Sequence, residues 1–135
     1  MKIAVVGAGA IGGMIGTRLA ASGRPVSAVA RGATAQALRT HGWRLESGGG
    51  LVRVPAVVVE DASELGPQDL VIVAVKGPAL AAAADAVHAL LGQDTVVMTA
   101  MNGVPWWFFH CFGGDLEGRT LESIDSGGRI AAAGE

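Results

Sequence analysis

Gly7, Gly9 and Gly12 close the apolar run Ile3-Ala4-Val5-Val6 in the spacing G-x-G-x-x-G, and a helix-compatible segment follows them. That context, strand before and helix after, is what a phosphate-binding turn requires. Gly7 permits the tight turn out of the strand. Gly9 lacks the Cβ that would hold a pyrophosphate off the backbone, and Gly12 lets the next helix pack closely. The start of that helix adds unpaired N–H groups and the positive end of a dipole, both favourable to phosphate. With Ala8, Ala10 and Ile11 between them, the glycines form a candidate dinucleotide-binding turn. A ligand-free glycine turn leaves the spacing of the third glycine unexplained. A secretory leader cleaved near Leu19–Ser22 fits poorly, because five glycines between Gly7 and Gly16 interrupt its apolar segment and Arg18 breaks it.

Three further residues sit where a strand should end. Arg31 lies nineteen positions after Gly12, at the close of the apolar segment Val26–Ala30. An NAD site usually places a carboxylate near here for the ribose 2′-hydroxyl. This chain has no Asp or Glu between Lys2 and Glu46. An arginine offers instead a planar fork of donors suited to a 2′-phosphate, so NADP is the expected cofactor over NAD and over FAD. Ser27 and Thr34 are candidate hydroxyl contacts, and a solvated surface arginine is the alternative. Lys76 follows the run Leu70–Val75 and would point into the cleft that the glycine turn faces. It could bind cofactor ribose or phosphate, bind a substrate carboxylate, or simply reach solvent. Asn102-Gly103 follows Thr95–Thr99; the amide suits a hydroxyl or the nicotinamide ribose, and the dipeptide is equally a common turn.

The elements that position these residues follow from pattern. The spacing predicts a helix over Ala10–Ala21 closed by Gly23, a strand over Val26–Ala30, and a helix over Thr34–Thr40 ended by Gly42. Trp43–Ser47 and Leu51–Val59 flank Gly48-Gly49-Gly50 and read as a hairpin or two neighbouring strands, with the triple glycine a plain turn. Asp61–Leu65 reads as one capped helical turn. Leu70–Val75 has the continuous β-branched character of a strand buried on both faces. Pro78 opens a helix continuing through Ala79–Leu91, and Thr95–Thr99 is the next strand. Such alternation gives an α/β fold: a Rossmann-type, doubly wound, mainly parallel sheet with helices on both faces, whose ligands lie beyond the carboxyl ends of the strands. Trp106-Trp107-Phe108-Phe109 suggests core packing, a partner domain or a cleft wall, and Arg129–Ala133 the start of another strand.

Composition is consistent with one domain. Half of the 135 residues are apolar, the net charge is −2, and the ten basic residues are scattered, so no nucleic-acid or membrane-surface patch is expected. Cys111 is the only cysteine and the three histidines are isolated, so neither an internal disulfide nor a metal site is expected. A cytoplasmic location agrees with this usage.

G-A-G-A-I-G at Gly7–Gly12, V-A-R-G at Val29–Gly32, D-L-V-I-V-A-V-K at Asp69–Lys76 and N-G-V-P at Asn102–Pro105 together resemble the ketopantoate reductases (2-dehydropantoate 2-reductases). The resemblance runs over the family's amino-terminal half. It implies NADPH-dependent reduction of ketopantoate to pantoate, on the route to pantothenate and coenzyme A. It also implies that Gly7, Ala8, Gly9, Ala10, Ile11, Gly12, Arg31, Lys76 and Asn102 bind cofactor, with Asn102 also reaching substrate. Residues 1–102 would be the NADP-binding domain, and 103–135 its final part, leading toward a helical domain that this chain lacks. That second domain supplies the family's proton-donor lysine and most substrate contacts, so the 135-residue chain alone is expected to be inactive and its own catalytic acid is unknown. The expected partner is a small-molecule 2-oxoacid, with neither nucleic acid nor membrane, and a homodimer is compatible. A reductase of another 2-oxoacid and a non-catalytic nucleotide-binding regulatory module are the alternatives.

Overall fold

A computed structural model describes residues 1–133. Its main sheet holds five parallel strands: β1 (Ile3–Val6), β2 (Val26–Val29), β5 (Val57–Val59), β6 (Leu70–Val73) and β7 (Val96–Thr99), in the order β5-β2-β1-β6-β7. β3 (Trp43–Ser47) and β4 (Gly50–Val54) form a separate antiparallel hairpin. Helices α1 (Ala10–Ala21) and α2 (Gly32–His41) connect the first strands, α3 (Leu80–Leu90) joins β6 to β7, and α4 (Arg129–Ala133) comes last. This is the doubly wound, Rossmann-type arrangement that the alternation of patterns implies.

Strand alternation divides the core in two. Ile3, Val5, Ala28 and Ile72 pack with Leu38 of α2 and Trp43 of β3 on one face. Ala4, Val6, Val71 and Val73 pack with Leu80 and Leu90 of α3 and Ile130 of α4 on the other. β1 is central and covered on both faces, which is why all four of its residues are buried. Trp43 anchors the hairpin: it is fully buried, its Nε1 donates to the Val26 carbonyl at 3.3 Å, and its ring lies where a Cβ on Gly16 would otherwise stand.

Helix α1 spans the residues its sequence predicts, and Gly23 (φ +84°) ends it, its N–H donating to the Ala20 carbonyl at 3.0 Å. Gly42 (φ +71°) ends α2 likewise. Gly48 and Gly49 both take positive φ between the paired Ser47 and Gly50, the geometry of a two-residue hairpin turn. The triple glycine is thus a turn and not a second phosphate site.

Other boundaries differ. Leu51–Val59 is two strands: Pro55 interrupts it, so Gly50–Val54 pairs in the hairpin and Val57–Val59 joins the main sheet beside β2. β6 stops at Val73, and Pro78 lies in a single 3-10 turn, Gly77–Ala79, ahead of α3. Arg129–Ala133 is a helix, not a strand: the buried Asp125 carboxylate accepts from the N–H groups of Ile130 at 2.8 Å and Ala131 at 3.0 Å, fixing a helical turn there. Of the aromatic run, Trp106 packs against the second core, and the rest lies outside it. Trp107 and Phe108 are each 44% exposed. Phe108, Phe109 and Phe112 stack mainly on one another. Among the described residues no helix is long and apolar enough to cross a membrane.

Candidate functional site

The chain leaves β1 toward β2 on one side and reaches β6 on the other, so the carboxyl ends of β1 and β6 flank the point where the winding reverses. Ligand crevices of doubly wound sheets open there. The glycine turn fills the β1 side. Gly7 has φ +87°, and a Cβ on it would lie 2.5 Å from Val75 Cγ1 and 3.0 Å from the Ala74 carbonyl oxygen. The turn therefore rests on the segment that carries β6 out of the sheet, one residue before Lys76. A Cβ on Gly12 would overlap the Gly7 carbonyl oxygen and approach Ala74 Cβ to 3.1 Å. Gly12 is a packing glycine.

Gly9 differs from both. It is exposed, its φ of −70° is open to any residue, and nothing lies within 4 Å of the Cβ position. Neither backbone strain nor protein packing demands glycine there. The open position leaves the backbone at the amino end of α1 accessible, as close approach of a pyrophosphate would require. A groove of about 430 Å³ continues from Gly9 and Gly13 along Thr34 and Leu38 of α2 to Trp43, leaving room for the rest of a nucleotide on the β2 side.

Arg31 is exposed at the carboxyl end of β2, immediately before α2. Lys76 is exposed beyond β6, and its ammonium has neither an ion pair nor a hydrogen bond to another described residue. Asn102 is exposed after β7 and borders a cavity of about 620 Å³. All three lie at the edge of the sheet where the glycine turn lies. Ser27 is half-buried within β2, while Thr34 lines the groove beside the turn.

One neighbour escapes sequence reasoning. β5 pairs with β2 in the register Val29↔Val59, so the chain beyond them brings Asp61 toward Arg31. Two hydrogen bonds from Ser63, from Oγ at 2.7 Å and from N–H at 2.9 Å, hold the Asp61 carboxyl below its ordinary pKa, and the positive charge of Arg31 adds to this. Asp61 lies two residues beyond β5, and its carboxylate is already occupied in capping the turn Ala62–Glu64. The signal was Pro55, which splits the long β-branched run and frees Val57–Val59 to join the sheet.

A five-stranded parallel sheet with a glycine turn at its reversal point defines a Rossmann-type domain, the architecture that binds nucleotides at that point. Residues 3–105 match the family described as ketopantoate reductase PanE/ApbA, and the chain belongs to that family. It is 47% identical over 131 residues to a 2-dehydropantoate 2-reductase of Mesorhizobium japonicum, covering 96% of this chain and 40% of that protein. A crystal structure of a ketopantoate reductase-like protein from Ralstonia solanacearum MolK2 superimposes with a TM-score of 0.92 at 51% identity, over 97% of this chain and 40% of that one. A D-mandelate dehydrogenase solved with NADH and anilino(oxo)acetate matches at TM-score 0.70 and 31% identity, over 78% of this chain and 35% of its own. The chain spans about 40% of the length of the first two relatives.

Proposed function

We propose that this chain is the NADPH-holding half of a reductase that converts 2-dehydropantoate to pantoate. The observation that carries the cofactor assignment is Arg31 at the end of β2, where an NAD site would keep a carboxylate. The empty Cβ position at Gly9 supports the pyrophosphate lying against the turn. In this reading the N–H groups at the start of α1 bind the pyrophosphate and Arg31 grips the 2′-phosphate. Lys76, at the reversal point, holds the cofactor ribose or a carboxylate. The Asn102 amide orients the nicotinamide ribose and the substrate carbonyl.

When bound, NADPH supplies hydride to the keto carbon, the net change being 2-oxoacid plus NADPH and a proton to 2-hydroxyacid plus NADP⁺. The proton donor is a lysine from the portion of the enzyme that this chain does not contain. General acid help of that kind contributes about 10²–10⁴ in rate. Orientation by Lys76 and Asn102 is a separate contribution that this chain makes itself. A second reading, an NADP-dependent reductase of another 2-oxoacid, is favoured by the likeness to the D-mandelate dehydrogenase. The reading carries with it a cytoplasmic location.

NADPH oxidation, followed by loss of its absorbance, tests the proposal. The 135-residue chain alone is expected to give no turnover of ketopantoate, and a polypeptide extended to the relatives' length is expected to give it. Robust turnover by the short chain would contradict the division of labour. An extended enzyme that reduces other 2-oxoacids but not ketopantoate would favour the second reading.

A further inference from the structure

The tryptophans after Asn102 wall the cavity at the carboxyl ends of β6 and β7. Trp106 and Trp107 meet edge to face, with ring centroids 4.3 Å apart and planes at 89°, so they present two apolar surfaces at a right angle. Both line the cavity of about 620 Å³, as do Asn102, Pro78 and Arg129. Arg129 is exposed at the first position of α4 and forms no ion pair among the described residues. Asp125 is the one carboxylate bordering the cavity, and both its oxygens are engaged by the N–H groups of Ile130 and Ala131. The Arg129 guanidinium is therefore the charged group at the cavity that is not already engaged among the described residues.

An arginine, an amide and an aromatic corner are what a carboxylate with an apolar body requires. We propose that this cavity is the substrate subsite: Arg129 takes the carboxylate of a 2-oxoacid, Trp106 and Trp107 pack against its side chain, and the Asn102 amide is left for the keto oxygen. The proposal rests on reading the chain as half of a 2-oxoacid reductase. It goes further in assigning substrate contacts to this half and in setting the substrate class. The two indole faces suit a 2-oxoacid with a branched or aromatic body better than they suit pyruvate. Trp106, Trp107 and Arg129 lie beyond residues 3–105, the span of the family match.

Calorimetric titration of a polypeptide extended to the relatives' length with phenylpyruvate and with pyruvate, each with and without saturating NADP⁺, tests this without any turnover. Phenylpyruvate is expected to bind about tenfold or more tightly than pyruvate. Arg129→Leu should weaken both by about tenfold or more, as loss of a charge-assisted bond does, and Arg129→Lys should recover part of the loss. Trp107→Ala should weaken phenylpyruvate about tenfold or more and pyruvate less, so that the preference shrinks. Both side chains are exposed, so unchanged circular dichroism is expected for every variant. Equal affinity for the two acids, or full affinity in Arg129→Leu, would overturn the subsite. A chain that binds NADP⁺ but does not discriminate the acids refutes the subsite alone. A chain that discriminates them but ignores NADP⁺ refutes the cofactor reading alone.

Discussion

Valine at position 9 is expected to abolish NADPH binding and leave the protein folded. The backbone at Gly9 (φ −70°, ψ −153°) is ordinary extended geometry, and a Cβ there meets no protein atom within 4 Å. The folded state therefore loses little beyond the difference between glycine and a β-branched residue at a helix N-cap, about 1 kcal/mol. The ligand loses far more. A branched side chain stands where the pyrophosphate must approach the N–H groups of α1. Loss of two charge-assisted hydrogen bonds, about 1.5–3 kcal/mol each, weakens affinity about a hundredfold or more. Fluorescence titration with NADPH and far-ultraviolet dichroism on the same sample separate binding from folding. Undiminished NADPH affinity in Gly9→Val would place the phosphate site elsewhere.

Valine at position 12, three residues along the same motif, is expected to do the reverse and damage the fold first. Its Cβ would overlap the Gly7 carbonyl oxygen and press on Ala74. The obstruction at Gly7 is backbone and cannot rotate aside, so α1 must lift from the turn and from the core it shares with β1 and β6. Overpacking of this kind costs roughly 3 kcal/mol or more, which for a domain of this size lowers the melting temperature on the order of 10 °C. Thermal denaturation measures it. An unchanged melt would mean that the helix does not sit against the turn as described.

The contrast between these glycines shows how far the sequence could be read. The G-x-G-x-x-G spacing, preceded by four apolar residues, carries its own structural instructions, and β1, α1 and the roles of Gly7 and Gly12 follow from it directly. Strand ends were also legible: Arg31, Lys76 and Asn102 all lie at the edge where alternating strands and helices put them. What failed was long-range or depended on a single residue. Pro55 splits one apolar run between two sheets, because proline cannot serve an interior ladder, and that split brings Asp61 to Arg31. Arg129–Ala133 has no strong preference of its own. Asp125, four residues upstream, decides for helix by capping it. Of the four consecutive aromatics, Trp106 packs against the second core and lines a cavity with Trp107, while Phe108 and Phe109 stack with Phe112 outside the sheet.

The central claim, that Arg31 makes this domain a holder of NADPH, is tested most directly by titrating a polypeptide extended to the relatives' length with NADPH and NADH under identical salt. Tighter binding of NADPH is expected, by about tenfold or more, since a charge-assisted bond to a phosphate contributes roughly 1.5–3 kcal/mol. In Arg31→Ala most of that difference should vanish through weaker NADPH binding, with NADH little changed. Equal affinity for the two cofactors in the unaltered chain, or a preference that survives the loss of Arg31, would contradict the account.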